Sequence, residues 1–166
     1  MAARILVAYA TKYGSTAGVA DAVARELAGA GLEARAAELQ EVASLEGYDG
    51  VVLGAPIYVG RPLGLAPFAA RHAAALAQVP VAAFATGIVP IAPKPGQLEQ
   101  IREALADALA PLVPVAATVF AGALEPSRMG FADRAAVRLL RAPTGDHRDW
   151  AAIAAWAREL VPLLGA

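Results

Sequence analysis

The alternation of short apolar runs with longer amphipathic stretches is the feature that most restricts the fold of this chain. Residues 5–10, 51–55 and 81–85 are continuous apolar runs, which are typical of strands buried on both faces of a parallel sheet. Between them, residues 15–28 repeat an apolar side chain about every four positions, as one face of a helix does. Strands that alternate with helices predict βαβ units, and therefore a parallel sheet covered by helices on both faces.

Five strands of this kind are predicted, at residues 5–10, 33–39, 51–55, 81–85 and 113–120. The second is polar, so we place it at an edge. Helices are predicted at residues 15–28, 67–76, 98–109 and 133–140, and a last helix begins after Asp149. The fold class is therefore α/β, a three-layer sandwich with a five-stranded parallel sheet of order 2-1-3-4-5. The 166 residues fit a single domain, 1–166.

Composition excludes several classes of function. The 58% of hydrophobic residues exclude a disordered chain. The 14 Lys and Arg residues against 15 Asp and Glu residues leave no positive charge to neutralise phosphates, so we expect no nucleic-acid partner. The absence of cysteine excludes thiol nucleophiles and iron–sulfur clusters.

Hydrophobicity on this scale raises the question of a membrane-spanning segment. The most apolar stretch, residues 108–124, is broken by Pro111 and Pro114, which favours a helix end, a turn and a buried strand over a spanning helix. A strand pattern begins at Ile5 without a signal segment. We therefore expect a cytoplasmic protein.

The loop after the first predicted strand is rich in hydroxyl groups. It reads Thr11, Lys12, Tyr13, Gly14, Ser15 and Thr16. It lies before a helix, where free backbone N–H groups and the helix dipole favour an anion. A serine or threonine there is often only an N-cap, but three hydroxyls beside a glycine favour a phosphate site.

The same run resembles the T-x-x-G-x-T phosphate loop of the flavodoxin family. Residues 48–60, which read YDGVVLGAPIYVG, resemble the third strand and second flavin loop of that family. They are closest to its branch of menaquinone-dependent protoporphyrinogen IX dehydrogenases, which residues 122–124 and 149–159 also resemble. The resemblance extends over nearly the whole chain. It implies a flavodoxin-like fold that binds FMN non-covalently, with the phosphate on the first loop.

Two further loops are implied to frame the flavin ring. One consists of Pro56, Ile57, Tyr58, Val59 and Gly60, and the other of Thr86, Gly87, Ile88 and Val89. The position before the glycine is often aromatic in this family. Here that position is Val59, and the aromatic residue, Tyr58, lies one place earlier.

The charge around these loops bears on the reaction. Residues 54–67 contain no acid but contain Arg61, and residues 86–96 contain no acid but contain Lys94. A cation ~7 Å from the flavin, at an effective dielectric of ~20, favours the anionic reduced ring by ~2 kcal/mol, or about 100 mV. Screened cations that point to solvent would have no such effect. This favours two-electron oxidoreductase chemistry over low-potential electron shuttling.

Other conspicuous residues are interpreted more plainly. His72 and His147 lie far apart in the chain, without the motif of a nucleophilic serine or the spacing of a metal site. Trp150 and Trp156 lie on the apolar stripe of the last predicted helix, so we expect core packing. Residues 122–141 carry four arginines. We expect this segment to face solvent, an anionic substrate or a lipid surface.

Three functions stay open at this point. The first is an FMN-dependent oxidoreductase that resembles protoporphyrinogen IX dehydrogenase, reduces a quinone and acts on an anionic small molecule. The second is a flavodoxin-type electron carrier between redox partners. The third is a binding module that has lost FMN. In the first two the flavin carries the chemistry, so we expect no catalytic side chain and no metal.

Overall fold

The computed structural model describes residues 1–88, 90–91 and 93–165. The strands are β1 (Arg4–Tyr9), β2 (Glu33–Glu38), β3 (Gly50–Tyr58), β4 (Arg61–Pro62), β5 (Val81–Gly87), β6 (Ala116–Ala121), β7 (Ala123–Leu124) and β8 (Gly145–Asp146). The helices are α1 (Ser15–Gly29), α2 (Leu65–Arg71), α3 (Ala73–Leu76), α4 (Gln97–Leu109), α5 (Phe131–Leu139) and α6 (Trp150–Leu164).

The sheet has the predicted topology. Its parallel strands lie in the order β2-β1-β3-β5-β6, which is 2-1-3-4-5 when the five parallel strands are counted along the chain. The polar strand β2 lies at an edge, as predicted. The sequence did not predict β4, which pairs antiparallel with the end of β3, or the small β7–β8 hairpin. The helix predicted at residues 67–76 is divided at His72 into α2 and α3.

Helices cover the sheet on both faces. Along β1, Leu6 and Ala8 join the buried cluster under α2 and α4, whereas Ile5 and Val7 join the cluster under α1 and α6. Successive side chains of a strand point to opposite faces. A strand buried on both sides therefore needs an unbroken apolar run, and that run is what made β1, β3 and β5 recognisable in the sequence.

The last helix closes one of these faces. The Asp149 carboxylate accepts a hydrogen bond from the backbone N–H of Ala152 at 3.0 Å and caps α6, as predicted. Trp156 packs edge-on against Phe84 and Phe120, with ring centroids 6.1 and 5.6 Å away. Trp150 departs from the expectation of core packing. It is 45% exposed, and its ring lies 4.7 Å from the Arg148 guanidinium.

The apolar stretch of residues 108–124 forms the expected helix end, turn and strand, but the prediction of a buried strand was wrong: β6 lies at an edge of the sheet, and of its residues only Phe120 is buried. Helix α4 ends at Leu109, a turn follows, and β6 begins at Ala116. Within residues 1–88, 90–91 and 93–165, no helix is both long enough and apolar enough to cross a membrane.

Gly54 provides a test of this packing. A methyl group there would overlap the Phe84 ring, which is itself fully buried between Phe120 and Trp156. We expect Gly54→Ala to lower the free energy of unfolding by about 1–3 kcal/mol in urea denaturation. Gly29→Ala is the matched control, since a methyl there meets nothing within 4 Å and should be neutral or stabilising by about 0.5–1 kcal/mol. Equal stability of the two variants would contradict this account.

Candidate functional site

The loops that follow β1, β3 and β5 meet at one edge of the sheet. They are joined there by a hydrogen bond from the Ala10 N–H to the Gly54 carbonyl at 2.9 Å and by the paired hydroxyls of Thr16 and Thr86. A cavity of about 240 Å³ lies between the loops. Its predicted lining residues are Lys12, Tyr13, Ser15, Pro56, Ile57, Tyr58, Thr86, Gly87 and Ile88.

The first loop has the geometry of an anion cradle. Gly14 adopts a φ of 94° immediately before α1, a conformation that favours glycine. The Thr11 hydroxyl accepts a hydrogen bond from the Gly14 N–H at 2.9 Å, so its own hydrogen remains available to an acceptor. In the part of the chain that the structure describes, no side chain caps α1 and its first turn carries no acidic residue. The N–H groups of that turn therefore suit a phosphate, which is the fit that FMN requires.

Thr16 has a structural contact that the sequence did not reveal. It is fully buried, and its hydroxyl lies 2.9 Å from the equally buried hydroxyl of Thr86. The sequence assigned these two residues to different loops. Their hydrogen bond couples the start of α1 to the end of β5, so the first and third loops are positioned together.

The second loop is the tight turn between β3 and β4. Val59 and Gly60 have φ values of 52° and 75°, and Tyr58 pairs with Arg61 across the turn. A valine at positive φ is strained. Val59 is 86% exposed, and neither it nor Gly60 lines the cavity, whereas Tyr58 does. The aromatic wall of this loop is therefore Tyr58.

The third loop contributes Thr86, Gly87 and Ile88, and Val89 lies outside the described residues. The Gly122 N–H donates to the Gly87 carbonyl at 2.9 Å. This contact brings residues 122–124 to the cavity as a further wall. In the sequence, residues 122–124 were noted only for their resemblance to the family. That resemblance did not indicate that they lie at the cavity.

The segment around α5 forms the roof of the cavity. Met129, Asp133, Ala136, Val137, Leu140 and Ala142 line it from this side. The Asp133 carboxylate is the polar centre of the roof. It lies 3.0 Å from the Lys12 ammonium, and it accepts hydrogen bonds from the Tyr13 hydroxyl and, at 2.6 Å, from the Tyr58 hydroxyl. No motif in the sequence pointed to Asp133, because its partners are 75 or more residues away.

These contacts perturb the ionisation of the cluster. Hydrogen bonds from Tyr13, Tyr58 and Lys12 lower the pKa of Asp133 to about 2. Hydrogen bonding to Tyr58 and then to Asp133 raises the pKa of Lys12 to about 12. The Lys12 ammonium also lies 3.5 Å from the centroid of the Tyr58 ring, a cation–π contact. The hydrogen bond to Asp133 also raises the pKa of Tyr13, so at neutral pH Asp133 is a carboxylate, Lys12 an ammonium and Tyr13 a neutral phenol.

Two arginines lie beside the first loop. Arg148 and Arg128 line a recess of about 30 Å³ with Tyr13, Gly14 and Ser15. The Arg148 guanidinium donates to the Ser15 carbonyl at 3.3 Å and also pairs with Asp146. Arg128 pairs with Glu125 at 2.9 Å. The cations that the sequence proposed, Arg61 and Lys94, line neither this recess nor the main cavity. Among the residues that the structure describes, the cationic side chain that lines the main cavity is that of Lys12.

The parallel sheet and the cavity between the loops at its edge define a doubly wound α/β domain, and comparison with known proteins identifies its family. The family model described as Flavodoxin domain matches residues 6–150, so the chain belongs to the flavodoxin domain family. It is 28% identical over 175 aligned residues to protoporphyrinogen IX dehydrogenase [quinone] of Escherichia coli K12, with 96% of each chain covered.

Solved structures agree on the fold. A short-chain flavodoxin associated with a non-canonical PDU bacterial microcompartment superposes with a TM-score of 0.62 at 15% identity, covering 98% of this chain and 99% of its own. The flavodoxin of Streptococcus pneumoniae TIGR4 superposes with a TM-score of 0.61 at 15% identity, covering 97% and 99%. These identities support the fold alone.

Titration of Asp133 tests the polar cluster. We expect its carboxyl to titrate at a pKa of about 2, below the ordinary 3.8. Since the folded value is the lower one, the stability that the ionised group contributes is present above pH ~4 and is lost as pH falls through about 2. Carboxyl 13C NMR across the acid range measures this pKa. Lys12→Met should move the pKa of Asp133 towards 3.8. The pKa of Asp146, which hydrogen bonding from Arg148 lowers to about 2, should stay unchanged in that variant. An ordinary pKa for Asp133 in the unmodified protein would refute the cluster.

Proposed function

We propose that this protein binds FMN non-covalently and is a cytoplasmic FMN-dependent oxidoreductase. The observation that carries this proposal is the uncapped start of α1 at one end of a cavity lined by all three predicted loops. Flavodoxin-domain membership implies a flavin cofactor. FMN, when bound, supplies the electron-transfer chemistry, and the protein positions it.

The residues divide this task among them. The first-turn N–H groups of α1, with the hydroxyls of Thr11 and Ser15, would hold the phosphate. Thr16 and Thr86 would fix the spacing between that phosphate site and the ring. Pro56 to Tyr58 and Thr86 to Ile88 would frame the ring on two sides of the cavity.

A substrate-oxidising enzyme with a quinone acceptor is the reaction that we favour. The E. coli relative is named as a dehydrogenase of protoporphyrinogen IX with a quinone. The cavity is also covered by α5 and has a mainly apolar lining, so a substrate that reaches a flavin bound there must itself present apolar surface. The alternative is a flavodoxin-type electron carrier, which requires only that a protein partner reach the flavin edge.

The helix α5 also bears on partners. Phe131, Leu139 and Leu140 are 87%, 84% and 77% exposed, and Arg134, Arg138 and Arg141 lie among them along the chain. Apolar and basic residues on one helix suit the interface of an anionic lipid surface. We therefore retain peripheral membrane contact as a proposal, to be tested by flotation with anionic vesicles.

The flavin is tested first. We expect the purified protein to carry FMN in a 1:1 ratio, measured by its absorbance spectrum and by identification of the flavin released on heating. Ser15→Ala should weaken FMN binding about 10–100-fold, since a hydrogen bond to a charged group contributes about 1.5–3 kcal/mol, and it should leave riboflavin binding unchanged. Ser44→Ala, which lies in the loop before β3, is the control. A colourless protein that takes up no added FMN would overturn the proposal.

Turnover then separates enzyme from carrier. We expect the FMN-loaded protein to oxidise protoporphyrinogen with menaquinone as acceptor, followed by porphyrin fluorescence under anaerobic conditions. Heat-released FMN at the same concentration is the control. Reduction by a flavodoxin reductase without any porphyrinogen turnover would favour the carrier instead.

A further inference from the structure

We propose that Arg148 is a positioning residue for the phosphate of FMN, and that it acts through the peptide unit between Ser15 and Thr16. The arginine holds the Ser15 carbonyl at one end of that peptide, and the Thr16 N–H at the other end donates to the phosphate. The inference rests on the proposed function and deepens it, because it names a residue outside the three loops that controls how tightly the cofactor is bound.

The contact that carries this role is the hydrogen bond from the Arg148 guanidinium to the Ser15 carbonyl, at 3.3 Å. A peptide unit is planar and trans, so its C=O and N–H point in opposite directions and turn together. A donor fixed on the Ser15 carbonyl therefore fixes the direction of the Thr16 N–H, which belongs to the first turn of α1 and has no acceptor within the helix. Hydrogen bonds in a chain also polarise one another, so a charged donor at the carbonyl makes that N–H a stronger donor.

Two further contacts hold the guanidinium in place. Its Nε and Nη2 donate to the two oxygens of the Asp146 carboxylate at 2.9 and 2.6 Å, a bidentate pair of fixed geometry. Its carbon lies 4.7 Å from the centroid of the Trp150 ring, which gives this half-exposed tryptophan a role other than core packing. The Arg148 side chain is only 17% exposed. A guanidinium restrained in this way loses little further freedom when it donates to Ser15.

Gly18 makes room for the guanidinium on the surface of α1. A Cβ at this position would lie 2.6 Å from Nη1 of Arg148, the same nitrogen that donates to the Ser15 carbonyl. Glycine is unfavourable inside a helix, and Gly18 lies within α1. The close approach of the arginine gives this glycine a physical reason.

The β7–β8 hairpin connects the arginine to the cavity. Asp146 in β8 pairs with Ala123 in β7, and the His147 N–H donates to the Gly122 carbonyl at 3.1 Å. Gly122 and Ala123 line the cavity. Arg148 follows directly in the chain, so one structural unit supplies a wall of the cavity and the contact that orients the first turn of α1.

Gly18→Ala tests the position of the guanidinium without changing any charge. The methyl group would push the guanidinium aside, so we expect the Kd of FMN to rise about fivefold and that of riboflavin, which has no phosphate, to change less than twofold. Gly29→Ala, the same change in the same helix, is the matched control and should alter neither Kd, since a methyl there meets nothing within 4 Å. Fluorescence titration of the full-length chain, after removal of its flavin, gives both constants.

Asp146→Asn separates a positioning role from simple attraction between charges. The substitution removes a negative charge beside the first loop, so attraction alone would tighten FMN binding. It also breaks the bidentate pair that holds the guanidinium, so we expect the Kd of FMN to rise about threefold instead. Tighter or unchanged FMN binding in this variant would overturn the inference.

Removal of the arginine should have the largest effect. We expect Arg148→Met to raise the Kd of FMN about tenfold and to leave that of riboflavin within twofold. Arg158→Met is the matched control, because Arg158 also lies on α6 and pairs with Glu26 of α1, at 3.2 Å, away from the first turn. It should leave both constants unchanged.

An NMR signal reports on the proposed bond itself. In the unmodified protein, FMN should move the amide proton signal of Thr16 downfield, because the phosphate is a charged acceptor. The displacement should shrink in Gly18→Ala and in Arg148→Met and should be retained in Gly29→Ala. An undiminished displacement in the first two variants would overturn the inference even if their affinity for FMN fell.

Failure of this inference is distinguishable from failure of the proposed function. An unmodified protein that binds no FMN would overturn both. Unchanged FMN affinity in Gly18→Ala and Arg148→Met would overturn the inference alone. Equal losses of FMN and riboflavin affinity would also overturn it, because Arg148 would then stabilise the fold and not the phosphate site.

Discussion

Parallel pairing of β1, β3 and β5 is the constraint on which the rest of the molecule depends. Parallel strands all end at the same edge, so three loops far apart in the chain are delivered to one place. The register places Gly54 beside Phe84, and that glycine leaves room for the ring. The buried Thr16–Thr86 contact then fixes the first helix to the last of these three strands. The cavity exists because the sheet cannot bring one loop there without the others.

The two ends of the site would hold an anion by different interactions. At the α1 end, the N–H groups and hydroxyls form a cradle for an anion that needs no cation of its own. At the other end, Lys12 and two tyrosines already hold an anion, the Asp133 carboxylate. The first arrangement suits a cofactor that stays bound. The second is occupied by a group of the chain itself, which joins α5 to the first two loops.

The parts of the site that the sequence predicted were those set by local rules. The hydroxyl-rich loop was recognisable because Gly14, Ser15 and the neighbouring hydroxyl residues occupy consecutive positions directly before a helix. Tyr58 was recognised as the aromatic residue of the second loop, and the structure places it on the cavity wall. Arg61 and Lys94 were proposed as the charges near the flavin because they share its loops. Neither residue is among those that line the cavity, whereas Lys12 is.

The sequence by itself determined the order of the main strands and helices, the parallel sheet and the hydroxyl-rich loop before α1, because each is encoded in contiguous residues through apolar periodicity or a short motif. Only the tertiary structure decided that Asp133 meets Lys12, Tyr13 and Tyr58, that Arg148 bonds the Ser15 carbonyl, and that α5 roofs the cavity. Each of these contacts joins segments more than 70 residues apart. Such contacts leave no local pattern in the sequence, because a single polar residue has the same sequence context whether its side chain faces solvent or closes a site.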